Sequence, residues 1–417
     1  MRSLAVLSMH TSPLAQPGTG DGGGMNVYVR ELAAALARAG VRCDVYTRAF
    51  DPEQSPIVAV EPGFAVHHVP AGPVAPVPKE ALHGLVPEFT EAVLARMAGG
   101  HHADAIHANY WLSGITGHTI KHELDLPLVS TFHTLDRVKA EVDLADDSEH
   151  RSVEEARVIG CSDSVLASCD AEVAQLVRLY DADPTRVEIV APGVDHAFFA
   201  PSPASGTGGR GQRRQARRAV DLPEDGRMLL FVGRIQPLKG LDVAIGALAE
   251  LVERCPDAFL VVVGGPSGPN GAAEVDRMQR LASDLGVDDR VRWIAPQPHE
   301  LLSTFYRASD VVVVPSRSES FGLVALEAAA CGIPVVASSV GGLTSLVEDG
   351  RTGLLVEGRN PADFATAIGD VLADPVVAAD LGRKAALRAK GYTWSIAAAR
   401  LRRLYGDLTS RQLVECP

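Results

Sequence analysis

Short runs of Val, Ile and Leu alternate with stretches of helical periodicity along the whole chain, which is what parallel β-sheets flanked by helices demand. Strands are expected at 4–9, 42–47, 105–108, 128–132, 164–168 and 187–190. A second set is expected at 228–233, 259–264, 291–294, 311–315, 334–337 and 354–356. The fold class is therefore α/β throughout. A chain of 417 residues exceeds one ordinary core, so two domains are expected, and 46% apolar residues are ample to bury both. Between the two strand sets lies 202–218, rich in Gly, Ser and Arg, which reads as a flexible loop with solvated arginines. The boundary is placed there, giving domains 1–200 and 201–393.

Charge narrows the partners. A net charge of −13 argues against nucleic acid or an anionic membrane, both of which select basic patches. A small molecule reached through a local basic pocket is the expected partner. The six cysteines, at 43, 161, 169, 255, 331 and 416, contain no Cys-x-x-Cys and no paired metal spacing, so they read as reduced thiols. No metal and no cofactor is called for. No targeting segment or apolar run of about 18 residues appears, and a soluble cytoplasmic protein is expected.

Chemistry concentrates in a few segments. Glu319-Ser-Phe-Gly-Leu-Val-Ala-Leu-Glu327 follows an apolar strand and opens a helix. Two carboxylates at that spacing lie about two helical turns apart near one face, and both can border one pocket. They suit hydroxyl groups, while the free amides at Phe321, Gly322, Leu323 and Val324 suit a phosphate. Hydroxyls plus phosphate describe a nucleotide sugar. Arg234 and Lys239 flank the turn after another strand, where binding crevices form in open sheets, and can neutralise a departing diphosphate. A solvated surface pair is the plainer alternative. Gly18-Thr-Gly20-Asp-Gly-Gly23 satisfies a dinucleotide fingerprint with Asp44 about twenty residues on, so a nicotinamide oxidoreductase stays open. Against it, His10 to Pro17 intervene between strand and glycines. Gly23 and Gly24 can instead approach a phosphate. His133 ends a strand facing the sheet's carboxyl edge, as a ligand hydrogen-bonding group or a structural histidine.

Three of these segments together carry a resemblance. Glu319-x7-Glu327 with Phe-Gly between, Phe231-Val-Gly-Arg-Ile-Gln-Pro-Leu-Lys239-Gly, and Gly20-Asp-Gly-Gly-Gly24-Met-Asn26-Val-Tyr are similar to the signatures of family 4 retaining glycosyltransferases. The resemblance runs from Met1 to about Tyr405. It implies the GT-B fold, two Rossmann-like domains facing across a cleft, with the last helix, about 394–417, packing back on the first domain. It also implies Arg234 and Lys239 on the donor diphosphate, Glu319 on the transferred sugar, Glu327 on the ribose, and His133 against the sugar. Neither carboxylate need be a nucleophile. Homodimers are common among such enzymes.

More narrowly, the run from Ser8 to Asp21 and Tyr110-Trp-Leu-Ser-Gly114 resemble the mycothiol-pathway inositol-phosphate glycosyltransferases of actinobacteria. That likeness implies transfer of N-acetylglucosamine from UDP-GlcNAc to 1D-myo-inositol 3-phosphate, with Asn26, Lys79, Tyr110, Thr134 and Arg157 on the acceptor. Three departures fall on this side. The chain looks short after Arg157, the stretch 140–151 is acidic (Glu141, Asp143, Asp146, Asp147, Glu149), and Asn109 stands where a His is expected. They leave open a paralogue of specialised metabolism, such as antibiotic biosynthesis, that uses a UDP- or GDP-sugar on a thiol or aminocyclitol. A nucleotide-sugar binder without turnover is a further class.

Overall fold

The computed structural model describes residues 2–144, 149–202, 208–268 and 270–416. Asp146 and Asp147, the Glu149 side chain and the 203–207 part of the expected loop lie outside the described residues. The chain forms two compact units. The first comprises Met1–Ala15, Gly24–Gly193 and Trp394–Pro417, and the second Gln16–Gly23 and Val194–Thr393.

The first unit is built on eight strands: β1 (Ser3–Leu7), β2 (Arg42–Arg48), β3 (Ile57–Glu61), β4 (Phe64–Val69), β5 (Ala105–Asn109), β6 (Leu128–Thr131), β7 (Ser164–Ala167) and β8 (Val187–Ile189). Their order is β3-β4-β2-β1-β5-β6-β7-β8, parallel except for the antiparallel β3/β4 pair. The sequence reading missed β3 and β4. They form the sheet's edge, and β3 is largely solvent-facing, so it lacks the continuous apolar run of a buried parallel strand. The helix Trp394–Leu408 belongs to this unit and packs against the helix Gly24–Arg38. It is anchored inside the core, where burial keeps Tyr405 protonated and its hydroxyl donates to His107 Nδ1 at 2.7 Å. His107 Nε2 in turn pairs with Thr131 Oγ1 at 2.8 Å.

The second unit carries a wholly parallel sheet of β9 (Arg227–Val232), β10 (Ala258–Val263), β11 (Val291–Ile294), β12 (Val311–Val314), β13 (Val335–Ser338) and β14 (Leu354–Val356). The order is β11-β10-β9-β12-β13-β14. The core gathers Leu229, Phe231, Leu260, Val262, Val311 and Val313 against the helix Leu241–Leu251. Part of the segment expected to be a flexible loop is instead the helix Gly208–Ala219. Its arginines are not merely solvated charge. Arg217 is 2% exposed, with Nε on Ala308 O at 2.9 Å, Nη1 on Gly226 O at 2.9 Å and Nη2 on Asp310 Oδ2 at 2.7 Å. Composition hid this because a guanidinium buried against carbonyls and a carboxylate looks in sequence like any other arginine.

Cys43, Cys169, Cys255 and Cys331 are buried free thiols. Cys161 and Cys416 are joined as a disulfide, which corrects the expectation of six reduced thiols.

Candidate active site

Each sheet reverses its order once, and a crevice opens there at the carboxyl ends of the strands. In the second unit the reversal lies between β9 and β12. The loop after β9 carries Arg234 and Lys239, and the loop after β12 carries Glu319. Gly240 makes their approach close. It has φ +70°, and a Cβ there would lie 2.0 Å from the Pro315 carbonyl oxygen, so only glycine lets the turn sit against the end of β12. Lys239 Nζ meets Glu319 Oε2 at 2.7 Å, and Ser316 Oγ lies 3.3 Å from the same oxygen. Both charges are partly open to solvent, at 24% and 18%. Behind them Gly341, at φ +48°, would place a Cβ 2.1 Å from the Glu319 carbonyl, and Gly342 N donates to that carbonyl at 2.9 Å. The backbone of Glu319 is thus clamped by a glycine pair that no motif had flagged.

Arg234 sits in the same unit beside the glycine loop. Its Nη1 lies 3.2 Å from Ser267 Oγ and 3.5 Å from the Asp21 carbonyl, and a Cβ on Gly23 would lie 3.2 Å from its Nε. The loop is folded by its own turns, Gly18 N to Gly22 O at 2.9 Å and Gly22 N to Thr19 O at 2.8 Å. Gly24 opens the following helix. Asp44, the acid needed by the oxidoreductase reading, is 6% exposed and already taken, with His67 Nε2 at 2.9 Å and Arg42 Nε at 3.1 Å. Burial opposes its charge, yet the His67 hydrogen bond and Arg42 hold its carboxyl below the usual range.

The helix Leu323–Ala330 starts after Gly322 at φ +103°, which leaves the amides of Leu323 and Val324 in its first turn. Phe321 is buried beside Tyr392, ring centroids 5.8 Å apart. Glu327 lies further along the helix and is only 4% exposed, so it is not an exposed-face residue. Its Oε2 accepts from Tyr306 OH at 2.7 Å, and Oε1 pairs with His299 Nε2 at 2.7 Å. Burial and the neighbouring carboxylate push the Tyr306 hydroxyl well above its ordinary pKa, so it stays a donor. His299 and Tyr306 escaped the sequence reading, because nothing local marks two residues of a separate helix as partners of Glu327.

In the first unit the reversal lies between β1 and β5. Asn26 is 1% exposed in the first turn of its helix, and its Nδ2 donates to Thr11 Oγ1 at 2.7 Å and to the Ser12 carbonyl. Here it fixes the loop after β1. His133, at φ +61° just beyond β6, has Nε2 2.9 Å from Asn109 Oδ1 and its ring edge-on to Tyr28 at 4.9 Å. Burial, with a smaller contribution from His107, lowers its pKa to about 3, so it is neutral under ordinary conditions.

Lys79, Tyr110 and Thr134 come together, but with Arg151 rather than Arg157. The ring of Tyr110 has Lys79 Nζ at 4.7 Å and the Arg151 guanidinium carbon at 5.0 Å from its centroid. Arg151 Nη2 donates to the Thr134 carbonyl at 3.0 Å and approaches its hydroxyl at 3.3 Å. Arg151 is 2% exposed and is aimed by Glu155, which takes its Nε at 2.8 Å and also accepts from Tyr180 OH and, at 2.9 Å, from Asp136 N. Arg157 instead pairs with Glu154 at 3.4 Å and with His118 Nδ1 at 3.2 Å, and is 46% exposed. It is not part of this cluster. Both arginines lie on the helix Glu149–Cys161, which leads into β7. Of the acidic stretch, Glu141 is exposed and paired with Arg178 at 3.0 Å, and Asp143 is exposed.

Comparison with known proteins agrees with this geometry. Residues 22–198 match Glycosyltransferase Family 4, and residues 212–388 match Glycosyl transferases group 1. The chain is 48% identical over 408 residues to D-inositol 3-phosphate glycosyltransferase 2 of Catenulispora acidiphila, covering 95% of this chain and 93% of that one. It is 47% identical to D-inositol 3-phosphate glycosyltransferase of Salinispora tropica, covering 97% and 85%. Among solved structures, a sucrose-phosphate synthase from Thermosynechococcus elongatus superposes with a TM-score of 0.89 at 34% identity, covering 98% and 99%. The resemblance read from three motifs is borne out, and the oxidoreductase and non-catalytic readings fall away. The chain belongs to the family 4 glycosyltransferases, with the two Rossmann-like domains of the GT-B fold, and is a nucleotide-sugar-dependent glycosyltransferase.

Proposed function

We propose that this enzyme transfers N-acetylglucosamine from UDP-GlcNAc to 1D-myo-inositol 3-phosphate with retention of anomeric configuration. The observation that carries the acceptor is the gathering of Lys79 and Arg151 about one tyrosine ring, beside Thr134. Two cations and a hydroxyl gathered about one ring can receive a phosphomonoester, which supplies two charges and several acceptor oxygens. Relatives at 48% and 47% identity, named for D-inositol 3-phosphate, support the same reading.

On the donor side Glu327, buried and oriented by His299 and Tyr306, accepts from ribose hydroxyls. The first-turn amides of the helix after Gly322, with Arg234 and Lys239, take the diphosphate. As the bond between anomeric carbon and phosphate oxygen breaks, these cations stabilise the charge that collects on the diphosphate. The inositol hydroxyl oxygen then bonds to that carbon on the same face, and its proton goes to the departing phosphate oxygen. Glu319 positions the sugar by hydrogen bonds.

The test is product analysis after incubation with UDP-GlcNAc and inositol 3-phosphate. An α-linked disaccharide phosphate by proton coupling constants is expected. A β-linked product would overturn the same-face mechanism, and transfer to unphosphorylated inositol with equal kcat/KM would overturn the acceptor.

A further inference from the structure

Away from the active-site residues, four metal-binding side chains converge inside the first unit. His118 and His122 stand one turn apart on one face of the helix Trp111–Leu124. Cys161 ends the helix Glu149–Cys161, and Cys416 lies in the segment after the helix Trp394–Leu408. The donor atoms of His118, Cys161 and Cys416 all lie within 4.8 Å of one another. His122 Nε2 is 3.1 Å from Cys416 Sγ, and His118 Nε2 is 3.5 Å from it. The segment is also held independently of its cysteine, since Val414 N donates to Asp163 Oδ1 at 2.7 Å while Asp163 pairs with Lys121 at 2.9 Å.

We propose that, with Cys161 and Cys416 reduced, His118, His122, Cys161 and Cys416 form a four-ligand zinc site. Bonds of about 2.0–2.1 Å to nitrogen and about 2.3 Å to sulfur, at tetrahedral angles, put ligand nitrogen and sulfur about 3.6 Å apart. The two histidines already stand near that distance from Cys416. Two thiolates and two imidazoles select zinc over hard cations such as magnesium or calcium. Two histidines at i and i+4 are a recurrent helical half of such sites. The disulfide is the oxidised, metal-free arrangement of the same pair, and an external thiol or phosphine reductant must first give it two electrons and two protons. Binding to the resulting dithiol then exchanges two thiol protons for one Zn²⁺, with no further electron transfer. A second grouping, Asp44 with His67 and His101, does not compete, because Arg42 already neutralises its only carboxylate.

Sequence spacing could not reveal this site, since its ligands come from three distant parts of the chain. Its role is to clamp the segment around Val414 onto the helices that carry His118 and Cys161. One further consequence follows. A histidine that ligates through Nε2 carries its proton on Nδ1, and a guanidinium cannot accept it. Arg157 must then leave its 3.2 Å contact with His118 Nδ1 and keep only Glu154.

The experiment uses the full chain purified under a phosphine reductant, dialysed against zinc and then metal-free buffer. Metal is measured by mass spectrometry alongside intact protein mass and thermal melting. One zinc per chain is expected, with both thiols reduced and a melting temperature lowered by chelator. His122→Ala, at an exposed position, and Cys416→Ser should each lose stoichiometric zinc, while Arg157→Ala should retain it. Cobalt in place of zinc should give the intense visible absorption of a tetrahedral site with thiolate charge-transfer bands. Overturning results are the absence of bound zinc in the reduced protein, or full retention in both His122→Ala and Cys416→Ser.

Discussion

Replacing Lys239 by Met should slow the chemical step more than it weakens donor binding. Lys239 Nζ lies 2.7 Å from Glu319 Oε2 in the crevice between β9 and β12, and is 24% exposed. Two unit charges at about 4 Å and an effective dielectric of about 20 interact by about 4 kcal/mol, an upper figure that partial solvation reduces. Loss of one preorganised donor to a developing anion costs about 2.7 to 4 kcal/mol, or roughly 100- to 1,000-fold in kcat. The variant also leaves the Glu319 carboxylate unneutralised beside a diphosphate. Glu319→Gln added to Lys239→Met should therefore do less harm than the two single losses summed, with a coupling energy above about 0.5 kcal/mol. The assay is release of UDP at saturating donor and acceptor for the four proteins of the cycle. A loss in Lys239→Met below about threefold, or strict additivity, would refute the role given to the pair.

Arg157→Ala should change acceptor KM by less than about twofold, since exposed ion pairs contribute little, whereas Arg151→Lys should raise it about tenfold or more because lysine lacks the planar fork. Steady-state kinetics with inositol 3-phosphate distinguishes them. Tyr306→Phe removes a hydrogen bond to buried Glu327 and should cost about 1 to 3 kcal/mol of stability and raise donor KM with little change in kcat. Melting curves and donor titrations check this. Acid should destabilise the fold through His107. Burial lowers its pKa to about 3 against 6.5 when unfolded, so the unfolded chain binds the extra proton between those values and stability falls as pH drops below 6.5. The loss reaches about 1.4 kcal/mol at pH 5.5, from one pKa unit of linkage. Buried His133 contributes a similar loss, so His107→Gln should lessen that dependence in thermal melts by its own share and leave the His133 share in place.

Much of the fold was legible because buried parallel strands are continuous apolar runs, and twelve of the fourteen strands left that mark. β3 did not, being a largely solvent-facing edge strand, and in β4, though buried, two histidines interrupt the apolar run. Arginine-rich 208–219 misled for the opposite reason, since Arg217 is buried by satisfying its donors on carbonyls that no local pattern announces. On the donor side, Arg234, Lys239 and Glu319 could be named because they follow strand ends, and Glu327 because it lies two helical turns beyond Glu319 on the same segment. Their supports could not, since His299, Tyr306 and the Gly341–Gly342 clamp come from other elements. Arg151 was passed over for Arg157 although Arg151 and Glu155 have the i, i+4 spacing of an ion pair. Arg151 closes the stretch 140–151, which the sequence marks only by its acidity. The sulfur–imidazole grouping was beyond sequence reading altogether, because contact between residues 118, 161 and 416 is made by the fold.

Whether a phosphorylated cyclitol accepts the sugar is tested by UDP release from UDP-GlcNAc with and without inositol 3-phosphate. Release should depend on the acceptor, saturate with it, and be lost when inositol replaces the phosphate ester. UDP-GlcNAc binding by calorimetry without any acceptor-dependent release would contradict it and assign the Lys79, Tyr110, Thr134 and Arg151 cluster to a different acceptor.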